Sequence, residues 1–375
     1  MEKTKITNME VKKKNRNHIY RYICKCETIS NPDISYALKL SLPTVTQNTK
    51  ELLELGLIQE TGELKSTGGR RAKALSAVAD YRLAVGLDIT QNHIGLLLAN
   101  LKGEILKYER TLYPYHSGRD YFQEVSKKLE AFIEGSGARK ESILGIGISF
   151  PGIVDLQRGE IANSHALGVT ALPFTDVSGC FGYPCYFLND ANAGAYAEGI
   201  HSEEREPFFY LSLSNTVGGA LYHDGHLMQG KGFRCGEVGH MTVVPDGLIC
   251  YCKKAGCLDA YCSAKRLSDL TDKKLESFFA GLAQGNEELV NAWEEYKKYL
   301  SIAINNIHMV LDCDIVLGGY VGSCLESYIE EIRKMVSERN TFSEDGSFVR
   351  VCNHKVGAAA LGAALQVIEL FIEQV

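Results

Sequence analysis

The sequence contains no apolar run close to the roughly 20 residues that a membrane-spanning helix needs. Its first residues, MEKTKITNMEVKKKNR, are charged and include no apolar stretch of the kind that forms a signal peptide. Disordered and fibrous classes are excluded as well, because 45% of the 375 residues are hydrophobic and can bury more than one core. We therefore expect a cytoplasmic protein of two or three domains without a membrane partner.

An overall positive charge is also missing, since the formal net charge is −6. The charge is unevenly distributed along the chain. Residues 1–75 contain 14 Lys+Arg against 8 Asp+Glu, a net charge of +6, whereas the remainder contains 26 against 38, a net charge of −12. This asymmetry predicts a basic, nucleic-acid-binding head on an acidic body.

The chain has twelve cysteines. Without an export signal, we expect reduced thiols or metal ligands rather than disulfides. Most cysteines lie among apolar residues and are interpreted as small buried hydrophobic side chains, as for Cys24, Cys180, Cys313 and Cys352.

The basic head predicts three helices. In KKKNRNHIYRYICKCE the apolar residues follow helical spacing behind a basic lead. The segment SNPDISYALKLS predicts a short second helix that Ser30 or Asn31 caps, with proline in its first turn. The segment SLPTVTQNTKELLELGLI predicts a third helix that Ser41 caps and Gly56 ends, with Val45 and Leu52 buried.

Polar side chains near the start of the third helix are expected to face outward, as in a helix that contacts base edges in a major groove. They are Thr44, Thr46, Gln47, Asn48 and Lys50. The following segment, IQETGELKSTGGRRAKALS, turns on glycines and carries Arg70 and Arg71, which suit a narrow minor groove. The head is predicted to be a winged helix-turn-helix that binds operator DNA. A plain three-helix bundle with a polar surface is the alternative.

The pattern changes to strands after the head. The segment YRLAVGLDITQNHIGLLLANLKGEILKYER predicts three strands, a helix follows near 117–136, and ILGIGISFPGIVD predicts a buried strand. PFFYLSLSNTVGGALYHDGHL then restarts the hairpin pattern, and VGAAALGAAL supplies a closing helix. Two successive halves of this kind predict a duplicated α/β nucleotide fold with a cleft between two lobes.

The segment GHMTVVPDGLICYCKKAGC concentrates candidate metal ligands. His240, Cys250, Cys252 and Cys257 have the spacing H-x9-C-x-C-x4-C, and such a set suits a closed, structural zinc site. Glycine turns at residues 247 and 256 are expected to let the thiolates converge. The alternative is that the four groups pack without a metal. Cys262 lies outside the spacing and is expected to be a packed thiol.

Carboxylates flank this segment. A rigid metal loop would hold Glu237 and Asp259 near His240, and such a cluster suits a hydroxyl-rich ligand. Asn189 and Asp190 form a second polar cluster at a predicted strand end. Their alternative role is to cap the helix that follows.

Along its whole length the chain resembles the ROK family (repressors, open reading frames and kinases). The motifs that carry the resemblance are STGGRRA, GIGISFPGIVD, LNDANAGAYAEG, GEVGHMTVVPDGLICYCKKAGC and IVLGGYVG. The resemblance implies a winged helix-turn-helix in residues 1–75 and a sugar-sensing domain in residues 76–375. The latter would have the two-lobe, actin-like and sugar-kinase-like (ribonuclease H-like) ATPase fold. We expect lobes at 76–187 and 188–375, with the C-terminal helix returning to the first lobe.

The resemblance also implies roles for individual residues. The glutamate and histidine matching Glu237 and His240 contact the sugar in the family, and the loop binds zinc. Asp190 matches the base that takes the sugar hydroxyl proton in ROK kinases, and Asn189 and Asn163 would complete the sugar site. The chain departs from the family pattern at Asp259, where glutamate is common, and at Lys253, where glycine is usual.

Two loops that would hold ATP phosphates depart further. ROK kinases have D-x-G-G-T and G-T-G-x-G patterns, where this chain has DITQNH at 88–93 and SNTVGGA at 214–220. Thr90 and Gln91 replace the glycine pair, and Ser214 and Thr216 replace two glycines of the second loop. Side chains there obstruct the backbone amides that must approach the phosphates. The glycines at 218 and 219 remain, so residual nucleotide binding and kinase activity stay open.

The sequence therefore predicts a sugar-responsive repressor of carbohydrate-metabolism genes rather than an enzyme. It would bind operator DNA as a homodimer or a dimer of dimers, and a monosaccharide in the cleft would change the lobe angle. The alternative is a ROK-type ATP-dependent sugar kinase with a DNA-binding head, which the intact Asp190 keeps in consideration.

Overall fold

The computed structural model describes residues 8–63, 72–200 and 206–375. Arg70 and Arg71, the predicted minor-groove contacts, lie outside the described residues. Among the helices of the described ranges, none has the length and apolar character needed to cross a bilayer.

The head consists of three helices and a two-stranded wing. Their bounds are α1 Asn8–Lys25, α2 Asn31–Leu38, α3 Leu42–Glu54, β1 Ile58–Glu63 and β2 Lys73–Ala77. The side chains of Ser30 and Ser41 cap α2 and α3, accepting hydrogen bonds from backbone N–H groups at 3.3 Å each. Strands β1 and β2 pair antiparallel, and Leu75 of β2 also bridges Ile29. The predicted winged helix-turn-helix is confirmed.

One residue of α3 does not lie where it was predicted. Asn48 is buried, with 1% of its surface exposed, and its side-chain amide donates to the carbonyl of Thr44 at 2.8 Å. It follows Val45 by three positions and precedes Leu52 by four, so it shares their inward stripe. The expectation that Asn48 faces outward toward DNA is wrong. Thr46, Gln47 and Lys50 are exposed and Thr44 is half-buried.

The elements of the first lobe are β3 Leu83–Ile89, β4 His93–Asn100, β5 Ile105–Leu112, α4 Arg119–Glu134, β6 Ile143–Phe150, β7 Ile153–Asp155, β8 Glu160–Ser164, β9 Val169–Pro173, α5 Phe174–Ser178 and β10 Cys185–Asn189. Five of the strands form a sheet with the order β5-β4-β3-β6-β10, and β7, β8 and β9 form a separate small sheet. The three hairpin strands and the helix near 117–136 are confirmed. The small sheet was not predicted, since its strands are too short for periodicity to show.

The second lobe repeats this pattern. Its elements are α6 Asp190–Gly199, β11 Phe208–Leu213, β12 Val217–His223, β13 His226–Leu227, α7 Asp259–Cys262, α8 Ala264–Ser268, α9 Leu275–Ala283, α10 Glu287–Leu311, β14 Asp314–Gly318, α11 Gly319–Gly322, α12 Ile329–Ser337, β15 Val349–Val351 and α13 Ala358–Gln374. The strands form a sheet with the order β13-β12-β11-β14-β15, in which β13, β12 and β11 pair antiparallel and β14 and β15 join in parallel, the same arrangement as in the first lobe. The predicted duplication is confirmed.

The last helix, α13, packs against β3 and β6 of the first lobe and against α6. Small residues make this contact close. A Cβ added at Gly86 of β3 would lie 1.8 Å from the carbonyl oxygen of Ala360, and one added at Gly362 would lie 1.8 Å from that of Ala193. Because the backbones touch, α13 and α6 can shift only together.

Helix α13 also joins the body to the head. The buried residues Ile19, Tyr20 and Ile23 of α1 belong to the same apolar cluster as Ile368 and Ile372 of α13. Two arginines of α1 add polar contacts to this cluster. Arg21 forms an ion pair with the carboxylate of Glu369, and Arg16 donates a hydrogen bond to the carbonyl of Val375. Helix α13 therefore contacts both α6, which begins at Asp190, and the three-helix head.

Candidate functional site

Three parallel strands end at the edge of the first sheet that faces the second lobe. In their pairing, Asp88 of β3 lies beside Ser149 of β6, which lies beside Leu188 of β10. The hydroxyl of Ser149 donates to the carboxylate of Asp88 at 2.9 Å. Asn189 and Asp190 follow directly after Leu188, so the topology brings both predicted residues next to Asp88.

Asn189 caps helix α6. Its Oδ1 accepts from the backbone N–H of Asn192 at 3.0 Å, while its Nδ2 donates to the carbonyl of Gly152 at 2.9 Å. Asn189 therefore has the helix-capping role that the sequence offered as the alternative. The bond to Gly152 also ties the strand end to the small sheet. A Cβ added at Gly152 would lie 2.2 Å from the carbonyl oxygen of Asn163, so Asn163 of β8 is an immediate neighbour.

Like charges accumulate at this edge. Burial, together with the charges of Asp88 and Glu237, raises the pKa of Asp190 to about 7. Burial also raises the pKa of Asp88 to about 6, although the bond from Ser149 and the charge of Arg110 act in the opposite direction. A carboxyl group that titrates near neutrality and has free acceptor capacity suits a ligand that offers hydroxyl hydrogens. Glu237, on the second lobe, is exposed.

The four predicted metal ligands converge. The donor atoms of His240, Cys250, Cys252 and Cys257 all lie within 4.8 Å of one another. The Sγ atoms of Cys252 and Cys257 are 3.7 Å apart, and Nδ1 of His240 is 3.9 Å from Sγ of Cys250. Tetrahedral zinc with bonds of about 2.3 Å to sulfur separates its ligands by roughly 3.8 Å. The donor set and its spacing fit zinc.

Local backbone geometry closes this loop into a narrow hairpin, in which Thr242 bridges Cys257 and Ile249 bridges Ala255. Gly256 has φ +80°, and a Cβ there would lie 1.8 Å from the carbonyl oxygen of Val244, so glycine is required. Lys253 has φ 68°, the left-handed conformation in which the family usually has glycine. The chain keeps the turn despite the substitution.

Asp259 and Cys262, which follow the metal loop, are both buried but have different contacts. Asp259 is 4% exposed, and its Oδ2 accepts from the backbone N–H of Val217 at 2.7 Å, so this carboxylate anchors strand β12. One of its oxygens is therefore already engaged. Cys262 is buried with its thiol 3.7 Å from the carbonyl of Tyr296, which confirms a packed thiol.

Contacts across the cleft involve residues that the sequence reasoning missed. Within the first lobe, Nδ2 of Asn163 lies 3.5 Å from Nε2 of His165. Across the cleft, the centroid of the His165 ring lies 5.5 Å from that of Tyr251 in the metal loop. Only their positions in the sequence pointed to these residues: Tyr251 lies between two predicted cysteine ligands, and His165 follows Asn163 by two residues. Sequence spacing did not indicate that the two would meet.

At the other end of the cleft, near Thr90 and Gln91, side chains of the two lobes form hydrogen bonds with one another. Nζ of Lys265 donates to Oε1 of Gln91 at 2.9 Å, and Arg110 donates to the hydroxyl of Tyr320 at 3.2 Å. Each contact joins the first lobe to the second. Thr90 is engaged in its own turn, where its hydroxyl accepts from the backbone N–H of His93 at 3.0 Å. At the positions of the kinase glycine pair, this chain has side-chain contacts instead of open backbone amides.

Comparison with known proteins agrees with this architecture. The model of the ROK family matches residues 84–369, and a model described as winged helix-turn-helix DNA-binding matches residues 13–59. The xylose repressor of Bacillus spizizenii is 29% identical, with 97% of this chain and 97% of the repressor covered.

Two solved structures share the fold. A ROK family transcriptional regulator, described as a homologue of the Escherichia coli Mlc protein, superposes with a TM-score of 0.77 at 22% identity, covering 97% of this chain and 100% of that one. A ROK family glucokinase from Streptomyces griseus, in complex with glucose and AMPPNP, gives a TM-score of 0.63 at 22% identity, covering 76% and 98%. These likenesses confirm the expected fold class. The chain belongs to the ROK family and carries a winged helix-turn-helix head ahead of the ROK domain.

Proposed function

We propose that the protein is a sugar-responsive transcriptional repressor of carbohydrate-metabolism genes. Its head binds operator DNA and its cleft binds a monosaccharide. The observation that carries this proposal is the contrast between the two ends of the cleft. At the sugar end, which we define as the region around Asp190, carboxylates and amides are present. At the phosphate end, the region around Thr90 and Gln91 where a kinase would hold ATP, Gln91 is hydrogen-bonded to Lys265.

At the sugar end, the proposed contacts come from both lobes. They are Asn163, Asn189, Asp190, Glu237, His240 and Asp259. The closeness of Asp88, Asp190 and Glu237 supports the set, because a neutral polyol can donate hydrogen bonds to carboxylates that otherwise repel one another. Asp259 has the weakest support as a direct contact, since Val217 already uses one of its oxygens.

The metal loop is proposed to hold structural zinc through His240, Cys250, Cys252 and Cys257. Bound zinc would fix the hairpin and, through His240, the second-lobe side of the sugar site. The polar residues of the cleft would bind the sugar hydroxyls. Helix α6 would pass the resulting change in lobe position to α13.

The head is proposed to bind DNA as part of a homodimer or a dimer of dimers, since paired recognition helices match two half-sites of an operator. Exposed residues of α3, with Thr44 at its start, would contact base edges, and Arg70 and Arg71 would contact the minor groove. Asn48 is left out of this set because it is buried. A cytoplasmic location is proposed along with operator binding.

The proposal is tested by fluorescence anisotropy of the zinc-loaded protein on DNA from beside its own gene, with and without a panel of monosaccharides and ATP. Xylose is the first sugar to test, because a similar protein is named xylose repressor. We expect specific binding that one sugar changes without ATP. If no neighbouring fragment is bound specifically and ATP is consumed in a sugar-dependent manner, the kinase alternative replaces the proposal.

A further inference from the structure

Tyr251 occupies a position between the metal loop and the sugar-side residues. It lies between the proposed ligands Cys250 and Cys252, and 44% of its surface is exposed. Its hydroxyl is 3.4 Å from Nε2 of His240. The same ring meets His165 of the first lobe, with centroids 5.5 Å apart. One side chain thus touches both a metal ligand and the opposite lobe.

The two nitrogens of His240 have different neighbours. Nδ1 faces Sγ of Cys250 at 3.9 Å, so it is the nitrogen directed at the metal position. A histidine that ligates through Nδ1 carries its proton on Nε2, and that N–H needs an acceptor. The hydroxyl oxygen of Tyr251 is the acceptor that the structure provides. Nε2 is also the ring nitrogen left over for a sugar hydroxyl.

A sugar that contacts His240 must therefore take the place of the Tyr251 hydroxyl. The hydrogen bond between the Tyr251 hydroxyl and Nε2 of His240 is long, at 3.4 Å. Because Tyr251 is exposed, its side chain can rotate toward solvent. When the ring moves, its contact with His165 is lost or rearranged. His165 lies beside Asn163, 3.5 Å away, so the change reaches a second residue proposed to face the sugar.

We propose that Tyr251 is a gate that sugar displaces. In the sugar-free protein its hydroxyl holds Nε2–H of His240 and its ring joins the metal loop to His165 of the first lobe. Sugar replaces the hydroxyl, and the loss of the ring contact changes the relation of the two lobes. This inference rests on the proposed function, since it concerns how that same site converts binding into a signal.

The test compares Y251F with wild type by calorimetric titration of the zinc-loaded protein with xylose, glucose and N-acetylglucosamine. Phenylalanine keeps the ring against His165 and removes the competing hydroxyl. Because a single hydrogen bond contributes a modest net free energy, we expect the sugar affinity to rise by roughly 2- to 10-fold. Zinc content and operator affinity without sugar should stay at wild-type values.

A second variant, H165A, removes the first-lobe side of the contact without touching a metal ligand. It should bind sugar, while the sugar-induced change in operator affinity becomes smaller. Y183F is the matched control, since Tyr183 precedes β10 at the end of the strand away from Asn189. It should match wild type in both measurements.

The outcomes separate the two proposals. A Y251F protein whose sugar affinity is unchanged or reduced overturns the gate, and a reduced affinity would make the hydroxyl a direct sugar contact. Loss of zinc from Y251F would likewise overturn it, by assigning the hydroxyl to the metal site. A wild-type protein that binds none of the sugars overturns the proposed function, and the gate with it.

Discussion

The side-chain amide of Gln91 accepts a hydrogen bond of 2.9 Å from Lys265, and this bond joins the turn after β3 to helix α8 of the opposite lobe. In a kinase of this fold the same turn must expose backbone amides to phosphate. We therefore expect ATP to leave sugar affinity unchanged and sugar to leave ATP unhydrolysed. Calorimetry with and without ATP and a coupled ADP assay measure this. Sugar-dependent ADP release at the rate of a glucokinase assayed in parallel would contradict it.

Asp190→Asn separates stability from sugar response. The pKa of Asp190 is raised to about 7 from an ordinary value of about 4. Between these two pH values the unfolded chain ionises the carboxyl while the folded chain keeps it protonated, so the stability of the wild type falls as pH rises from about 4 to about 7 and is level above that. The neutral amide removes that loss. We expect the stability advantage of D190N over wild type to be larger at pH 8 than at pH 5 by roughly 1 to 3 kcal/mol. Urea denaturation at both pH values measures the difference.

The same variant should lose or alter its sugar response while binding operator normally without sugar. Asp190 lies at the start of α6, remote from α3 of the head, so operator contacts are intact. Loss of DNA binding by folded D190N would contradict the assignment of Asp190 to the sugar site. A stability loss at pH 8 would show that the carboxylate is satisfied by partners rather than repelled by Asp88 and Glu237.

The ion pair between Arg21 and Glu369 should carry part of the signal from the body to the head. We expect R21A to bind sugar like wild type but to show a smaller sugar-induced change in operator affinity. In wild type this change is expected to be about 5- to 150-fold. A double-mutant cycle with E369A on operator affinity, measured with and without sugar, isolates the pair. R158A, which alters an exposed arginine of the first lobe, is the control.

If R21A and R158A respond to sugar equally well, the head does not receive the signal through this pair. Besides the bond from Arg16 to the carbonyl of Val375, the buried cluster around Ile372 also joins α1 to α13 and would then be the next contact to test. I372A would test it, with thermal unfolding used to separate lost coupling from lost stability.

Neighbouring residues of α3 should behave in opposite ways. Gln47 is exposed, and Q47A should weaken binding to the operator by roughly 1 to 3 kcal/mol while leaving thermal stability unchanged. Asn48 is buried and bonded to Thr44, so N48A should lower the stability of the head by about 1 kcal/mol. Anisotropy on specific and unrelated DNA, with thermal unfolding, distinguishes them. Normal stability with lost specificity in N48A would restore Asn48 as a base contact.

The sequence predicted those features whose information is local. The metal ligands lie within eighteen consecutive residues, and the hairpins of both lobes repeat a visible alternation. Asn48 was misplaced although its spacing from Val45 and Leu52 marks the buried stripe, because its polarity was given more weight than its position. The pairs Gln91–Lys265 and Arg110–Tyr320 are separated by 174 and 210 residues, and no local pattern specifies such contacts.

Removal of the metal should disable the sugar site and spare the head. We expect about one zinc per chain in wild type, and C252S should lose it, because three ligands hold zinc far less tightly than a closed set of four. Sugar binding should be lost with the metal, since His240 would no longer be fixed, whereas operator binding without sugar should remain. Elemental analysis, calorimetry and anisotropy measure the three properties.

C324S is the matched control, because Cys324 is an exposed thiol outside the metal loop. It should keep zinc, sugar binding and operator binding. Retention of a full equivalent of zinc by C252S would show that this cysteine is not a ligand. Sugar binding by zinc-free protein at wild-type affinity would show that the hairpin of residues 240–257 holds His240 in place without metal, and that zinc contributes to stability alone.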